Sequence, residues 1–247
     1  MIGIIGGTGL EKTTFIENPQ KLKITTKYGE PSSEILTGKI FGNEIGILSR
    51  HGTEHTITPS NVNNRANITA LKELGCKKII ATTACGSLRE NIKPGDFVIP
   101  DQFIDFTKHR ITTFYDSFEP HNMQHCPMAN PFDEEIRKKI QVASQELAIN
   151  LHTNGTIVTI EGPRFSTKAE SNMFRLLGAD LVNMSTAPEV ILANEAGLKY
   201  AAIAISTDYD CWKDNEEAVS IDMILENFKK SVNNLIKVLI QTIGLIS

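Results

Sequence analysis

No stretch of this sequence reaches the ~18 consecutive apolar residues that a bilayer-crossing helix needs. Its opening, Met1-Ile2-Gly3-Ile4-Ile5-Gly6, is too short and turns to glycine too soon for a signal peptide. Nor does it hold a C-x-x-C pair: Cys76, Cys85, Cys126 and Cys211 stand far apart, which argues against a zinc knuckle or a thioredoxin-like motif and reads as free thiols in a reducing compartment. Basic residues are not in excess. Lys and Arg number 25 against 29 Asp and Glu, a formal net charge of -4, so the chain offers no global cationic surface to nucleic acid or anionic lipid. Any anion is met locally. Repeats, low-complexity tracts and linkers are missing too. The expectation is a soluble cytoplasmic protein with neither nucleic acid nor membrane as partner. Its 247 residues, 40% hydrophobic, are enough for a substantial core without disulfide staples.

Short Ile- and Val-rich runs recur at residues 2–5, 44–48, 78–82, 97–99, 156–160, 181–183 and 200–205, and read as buried strands. Segments with helical spacing lie between several of them, at 63–74, 134–147, 188–196 and 221–243. This interleaving predicts one α/β domain. Thr167-Lys168-Ala169-Glu170 fits a capping box, Pro188 suits a first helical turn, and Gly75, Gly178 and Gly197 are placed to close helices. Val232, Leu235, Ile236, Leu239, Ile240 and Ile243 share one face of the last segment, which reads as a terminal helix packed on the sheet. Residues 116–130 are polar and read as a long loop, of the kind that is often functional or intersubunit.

Several motifs sit at strand ends. Gly6-Gly7-Thr8-Gly9 follows the first strand, but the third glycine of a dinucleotide fingerprint falls on Lys12, so what remains is a tight turn or an anion-binding loop. Ser49-Arg50-His51-Gly52 places a fixed cation and an imidazole after a strand; the plain alternative is a surface Arg-His pair. Thr82-Thr83-Ala84-Cys85-Gly86-Ser87 offers hydroxyls and amides in a similar position. His51 with His55, and His121 with His125, have H-x-x-x-H spacing, yet their surroundings are not helical and no third metal ligand is evident.

Glu161-Gly162-Pro163-Arg164-Phe165 leaves a strand with groups able to cover a ligand; equally, Glu161 and Arg164 would pair while Phe165 enters the core. Asn183-Met184-Ser185-Thr186-Ala187-Pro188-Glu189 brings hydroxyls to a helix N-terminus, as an ordinary capped helix start also would. Thr207-Asp208-Tyr209-Asp210 ends the last strand with two carboxylates two residues apart, which project to the same side if the chain stays extended.

Taken in their order along the chain, these segments resemble the trimeric purine nucleoside phosphorylase and methylthioadenosine phosphorylase family. The likeness runs from Gly6 to about Ile240 and is most specific at residues 82–94, 161–165 and 207–212. It implies a single α/β domain over residues 1–247, with a mixed, partly barrel-like central sheet flanked by helices. It implies phosphate held by Thr8, Arg50, His51, Thr83, Ala84 and Ser185, although Ser185 departs from the threonine that methylthioadenosine enzymes often carry. The purine and ribose fall to Met184, Asp208, Tyr209 and Asp210, with Asp208 as the catalytic acid. Ser166 and Ile221 match positions tied to substrate choice, and His125 matches a histidine lent to a neighbouring subunit's site, in a homotrimer or a dimer of trimers. No metal or organic cofactor is implied; inorganic phosphate is a co-substrate.

In that family, 6-oxopurine enzymes typically place asparagine at the purine-reading strand end, whereas Thr-Asp-Tyr-Asp-Cys-Trp, here 207–212, is typical of the methylthioadenosine branch. The chemistry agrees, because a carboxyl can accept from the adenine N6 amino group and, when protonated, donate to N7. Ile221, Ile224 and Leu225 share one helical face that suits an apolar 5′-methylthio group. The implied activity is phosphorolysis of S-methyl-5′-thioadenosine, and of adenosine, within methionine and purine salvage. A phosphorylase acting on inosine, guanosine or methylthioinosine, and a nucleoside-binding protein without catalysis, remain open at this point.

Overall fold

Strands whose side chains alternate between two apolar layers build one mixed sheet, and helices cover both of its faces. The computed structural model describes residues 1–6, 15–214 and 220–246. Along the chain run β1 (Ile2–Gly6), β2 (Glu17–Leu22), β3 (Ile35–Ile40), β4 (Asn43–Ser49), α1 (Asn64–Glu73), β5 (Lys78–Ser87), β6 (Phe97–Val98), β7 (Gln102–Phe106), α2 (Glu134–Glu146), β8 (Leu151–His152), β9 (Thr156–Ile160), α3 (Lys168–Leu176), β10 (Leu181–Asn183), α4 (Thr186–Glu195), β11 (Lys199–Asp208) and α5 (Ile221–Leu245). Among the described residues, no helix is long and apolar enough to cross a membrane.

Period-two alternation assigns the faces. Ile4, Ile47, Ile80, Ile203 and Ile205 point into the layer covered by α2 and α5. Their neighbours Ile5, Leu48, Ile79, Ala202 and Ala204 point into the layer covered by α1 and α4. The buried face of α5 is carried by Phe228, Leu235, Val238, Leu239 and Ile243, while Val232, Ile236 and Ile240 are only partly buried at its margin. The expected apolar stripe is thus present but rotated. α3 carries the full capping box at Thr167 and Glu170, and Gly75, Gly178 and Gly197 follow their helices with positive φ.

Strand β5 organises the topology. Its first residues pair in parallel with β1, up to the match of Ile5 with Ala81. Its last two, Gly86 and Ser87, pair with β10 in antiparallel fashion, and its other edge follows β11 throughout. Residues 97–106 and 151–160 then run side by side as two bent ribbons, β6 on β8 and β7 on β9, bridged by hydrogen bonds from Ile99 N to His152 O and from Asp101 N to Gly155 O. Because β6 also pairs with β11 and β9 with β10, this part of the sheet closes on itself, whereas β1, β4, β3 and β2 form an open wing. Between Ala81 and Gly86, β5 has left β1 and not yet met β10. A cavity opens at that gap.

The segment 82–87 is therefore the second half of a strand and not a loop after one. Strands β2, β3, β7 and β8 lie outside the runs read from the sequence; β2 is solvent-exposed at every position and contains Pro19, as an edge strand tolerates. Residues 107–133 contain no helix or ladder strand, and the loop read from polarity at 116–130 lies within them. Their beginning is fastened by Phe114 N and the Thr113 hydroxyl donating to Glu195.

Gly3 and Gly46 face each other across β1 and β4, and a Cβ on Gly46 would stand 2.8 Å from Leu74 Cδ2. The missing side chain lets α1 settle against the sheet. Gly46→Ala is expected to destabilise the protein by about 1–3 kcal/mol, the usual cost of overpacking, as measured by chemical denaturation.

Candidate active site

The cavity measures about 210 Å³, more than ten times the ~10–15 Å³ that one buried water requires. Five segments supply its walls: the turn after β4, the second half of β5, the turn after β9, the β10–α4 junction, and the end of β11 facing the first turns of α5.

Arg50 follows β4 and is 3% exposed, so it is no surface residue. Its Nε and Nη2 both donate to the carboxylate of Glu189, Nη2 at 3.1 Å, and its Nη1 donates to Thr82 O at 2.9 Å. The Tyr200 hydroxyl completes Glu189 with a bond of 2.9 Å to Oε2. Burial alone would lower the Arg50 pKa; the charge and hydrogen bonds of Glu189 overcome it and raise the pKa above the ordinary value. The guanidinium fork read from the sequence as a phosphate clamp is accordingly occupied by Glu189. Two of its five N–H groups remain for the cavity.

His51 lines the cavity as a neutral ring. Burial and the neighbouring Arg50 charge lower its pKa to about 4. A backbone carbonyl can only accept, so the contact of Nδ1 with Ile57 O at 2.9 Å fixes the proton on Nδ1 and leaves Nε2 as an acceptor. Its ring stacks on that of His55, with centroids 4.6 Å apart, in a turn and not on a helix.

Thr83, Ala84, Met184 and Ser185 all line the same cavity. Ser185 is the N-cap of α4, yet its side chain makes no capping bond; its hydroxyl instead lies 3.2 Å from that of Thr83. The ordinary capped start is therefore absent here, and the hydroxyl stays available to the cavity. Asn183 also lines the cavity, with its side-chain amide contacting Thr83, Ser185 and Thr186.

At the β11 end, Asp208 is 5% exposed. Burial raises its pKa to about 6, with the nearby Asp210 charge adding to the rise, against hydrogen bonds from the Thr207 hydroxyl at 2.8 Å and Asp210 N–H at 2.7 Å. Asp210 adopts a left-handed conformation with φ 51°, so the chain turns after Asp208 and the two carboxylates do not project from one extended face. Both nevertheless line the cavity, and burial raises Asp210 as well. Gly86 makes room for them, because a Cβ there would stand 3.0 Å from Asp208 Oδ1 and 3.2 Å from Asp210 Cβ.

Ser166, Phe165, Ile221, Ile224, Leu225 and Phe228 complete the wall. Phe165 thus turns to the cavity and not to the core. Glu161 does not pair with Arg164: burial would raise its pKa, but Lys108 N–H, His109 N–H and the Arg110 guanidinium hold it and lower the pKa to about 2. Arg164 bonds Glu170 instead.

Two expected site residues, among the described residues, stand elsewhere. Tyr209 is not part of the cavity wall; its ring packs edge-on against Trp212, and Lys213 lies over it. His125 sits exposed in the long loop beside Phe118, away from this chain's cavity. Thr8 lies outside the described residues. Conversely, Glu189, Asn183 and Thr207 stood inside motifs read from the sequence but were given no role there, and Tyr200 and Phe228 were not singled out. A glutamate inside the otherwise apolar helix 186–195 and an asparagine ending an apolar strand are the signals that could have found the first two.

The model of the phosphorylase superfamily matches residues 1–244. The chain is 52% identical over 244 residues to the S-methyl-5′-thioadenosine phosphorylase of Danio rerio, covering 98% of this chain and 87% of the relative. It is 50% identical over 248 residues to the Drosophila melanogaster enzyme of the same name, covering 100% of this chain and 86% of the relative. Among solved structures it is similar to Schistosoma mansoni methylthioadenosine phosphorylase in complex with adenine, with a TM-score of 0.93, 44% identity, and coverage of 99% and 91%. A mutant of the adenosine/methylthioadenosine phosphorylase from that organism, in complex with methylthioadenosine, gives a TM-score of 0.92 at the same identity and coverage.

Glu189→Ala would leave the Arg50 guanidinium buried without its counter-charge. A loss of about 3–5 kcal/mol is expected, read by urea denaturation, with Glu189→Gln losing less because it keeps hydrogen-bonding capacity.

Proposed function

This chain belongs to the phosphorylase superfamily, and from that premise we infer that it catalyses the phosphorolysis of S-methyl-5′-thioadenosine to adenine and 5-methylthioribose 1-phosphate. It thereby serves methionine and purine salvage. The observation that carries the reading is one cavity holding two kinds of group: a buried carboxyl with a raised pKa, Asp208, and a cluster of hydrogen-bond donors at Arg50, Thr83 and Ser185. The solved relatives bound to adenine and to methylthioadenosine support the same substrate class.

In the proposed reaction, phosphate accepts from the free N–H groups of Arg50, the hydroxyls of Thr83 and Ser185 and the backbone at Ala84, with His51 beside it and Thr8 assigned to it by the family resemblance. Nε2 of His51, being an acceptor, receives an O–H of monohydrogen phosphate and not a negative oxygen. The phosphate oxygen bonds to the anomeric carbon as the bond to N9 breaks, and the ribose passes through an oxocarbenium-like state. Electrons of the broken bond go to adenine, and Asp208 delivers a proton to N7. The phosphate proton restores the carboxyl, so the reaction balances with inorganic phosphate alone. Proton transfer of this kind contributes about 10²–10⁴-fold in rate. Met184 and Asp210 orient the base and ribose; Asp210, turned by its left-handed backbone, supports Asp208 and needs no proton transfer of its own. Ser166 and the apolar face of Ile221, Ile224 and Leu225 receive the 5′ substituent. His125, exposed on the long loop, would complete the site of a neighbouring copy in a homotrimer. The four free cysteines fit a reducing cytoplasm.

Free adenine is expected to appear only when both the nucleoside and phosphate are present. Asp208→Asn should lower kcat on methylthioadenosine by about 10²–10⁴-fold while changing the phosphate Kd by less than about threefold, since a neutral amide keeps the site's shape; unchanged turnover would sink the assignment. Because the folded carboxyl keeps its proton below about pH 6, kcat/KM for the nucleoside at saturating phosphate should be highest below that pH and fall as the pH rises through it.

The 5′ group supplies a second test. Placing a hydroxyl against apolar side chains costs about 1–3 kcal/mol, so kcat/KM should be greater for methylthioadenosine than for adenosine by about tenfold. The opposite preference would refute the apolar-pocket assignment.

A further inference from the structure

We propose that Asn183 is a positioning residue that fixes the hydroxyls of Thr83 and Ser185 as donors towards phosphate. The inference rests on the phosphate reading of those two hydroxyls and adds what sets their direction. A hydroxyl can present either its hydrogen or a lone pair to a ligand, and only the hydrogen attracts an anion. The choice is made by whatever lies behind it.

Behind them is a chain of hydrogen bonds that begins at a group unable to reverse. The backbone N–H of Ala187 donates to Thr159 Oγ1 at 3.0 Å, and the Thr159 hydroxyl passes its hydrogen to Asn183 Oδ1 at 2.9 Å. With Oδ1 on that side, the amide nitrogen faces the other way. Its two hydrogens meet Thr186 Oγ1 at 2.7 Å and Thr83 Oγ1 at 3.0 Å, with Ser185 Oγ at 3.3 Å. Thr159 is 0% exposed and Asn183 is 5% exposed, which leaves little access for water to replace a missing member.

Thr83 Oγ1 therefore already accepts, and its own hydrogen points away from Asn183. Its available acceptors in the protein are Ala84 O and Ser185 Oγ, each at 3.2 Å, and an anion in the cavity outcompetes both because charge-assisted bonds are about twice as strong. Were the amide reversed, Oδ1 would draw the hydrogens of Thr83 and Ser185 inward and turn their lone pairs on the phosphate. This matters more here than at a cationic site. Arg50 is neutralised by Glu189 and His51 is uncharged, so much of the anion's reception falls to neutral donors.

The test is calorimetric titration of inorganic phosphate, and separately of adenine, into the wild-type protein, Asn183→Asp, Thr159→Val and Thr159→Ser. Asn183→Asp removes both amide donors and adds an acceptor beneath the anion; phosphate should bind about 10- to 100-fold more weakly. Thr159→Val, close in shape, leaves Oδ1 only the longer 3.4 Å bond from Ser185 N–H to hold the amide and should weaken phosphate by about fivefold, while Thr159→Ser, which keeps the hydroxyl, should stay within about twofold. Adenine affinity should hold within about twofold throughout, and the KM for phosphate should rise in step with its Kd while the KM for the nucleoside does not.

Phosphate affinities of Asn183→Asp and Thr159→Val within twofold of wild type would overturn the proposal, as would a parallel loss of adenine binding. Where Asn183→Asp fails to fold, equal phosphate affinity in Thr159→Val and Thr159→Ser overturns it alone. Wild-type protein that binds adenine but no phosphate would refute the phosphate reading itself, a result distinct from any difference among the variants.

Discussion

The buried pair of Arg50 and Glu189 is the constraint from which the rest of the cavity follows. It joins four elements: Arg50 at the end of β4, Thr82 O on β5, Glu189 in α4, and Tyr200 on β11. Isolated, either charge would be expensive to remove from water; together they are tolerable because Glu189 takes two N–H groups of Arg50, Thr82 O takes a third and Tyr200 donates to Glu189. Small displacements of α4 against β4 therefore carry a steep electrostatic cost. That is how Ser185, at the first turn of α4, is held 3.2 Å from Thr83, which lies 102 residues earlier in the chain.

Closure of the sheet fixes the other end. β5 and β11 run together from Lys78 and Lys199 until the register shifts between Ser206 and Asp208, where Asp208 comes opposite Gly86. The irregularity and the left-handed Asp210 bring two carboxylates over a glycine that leaves them just enough room. Stability argues against such an arrangement. Burying Asp208 raises its pKa to about 6 from an ordinary value of 3.8, so at neutral pH the ionised form costs the fold about 3 kcal/mol. The sign is that of a raised acid: the cost is absent below the unfolded pKa, grows between the two values and is complete above pH 6. A carboxyl that destabilises the fold by losing its proton is, for the same reason, ready to act as an acid near neutrality.

Much of this was legible in the sequence because burial on both faces of a sheet writes itself as uninterrupted Ile and Val. The runs at 2–5, 156–160 and 181–183 became β1, β9 and β10, and the glycines at 75, 178 and 197 end helices where a left-handed residue was needed. Strand β2 was illegible since it is itself the edge of the sheet and none of its residues is buried, leaving Glu, Asn, Pro, Gln and Lys with no apolar alternation to show. The site was legible as a set of motifs and illegible as a geometry. Arg50 invites a phosphate-clamp reading, but nothing near it in the sequence reveals the carboxylate that takes two of its N–H groups, which lies 139 residues away. Likewise, alternation predicts Asp208 and Asp210 on one face, and only the positive φ of Asp210 overrides it. Ser185 shows a propensity that the tertiary structure declines to use: an N-cap serine whose hydroxyl is withheld from the helix.

Burial leaves one end of the described cavity wall, that of Arg50, His51, Thr83 and Ser185, nearly without net charge. Arg50 is cancelled by Glu189 and His51 is discharged well below neutral pH, whereas the β11 end carries Asp208 and Asp210, whose pKa values burial raises. At that first end the dominant charge in the proposed reaction arrives with the phosphate. Phosphate brings negative charge and the ribose ring acquires positive charge only as its bond to adenine stretches, so their attraction is small at the outset and greatest in the transition state. Surroundings of low polarity strengthen that attraction. Neutral donors hold the phosphate without screening it as a cluster of lysines would, and an interaction that grows along the reaction coordinate lowers the barrier and not merely the KM. The same neutrality lets go of a sugar phosphate once the positive charge on the ring has gone.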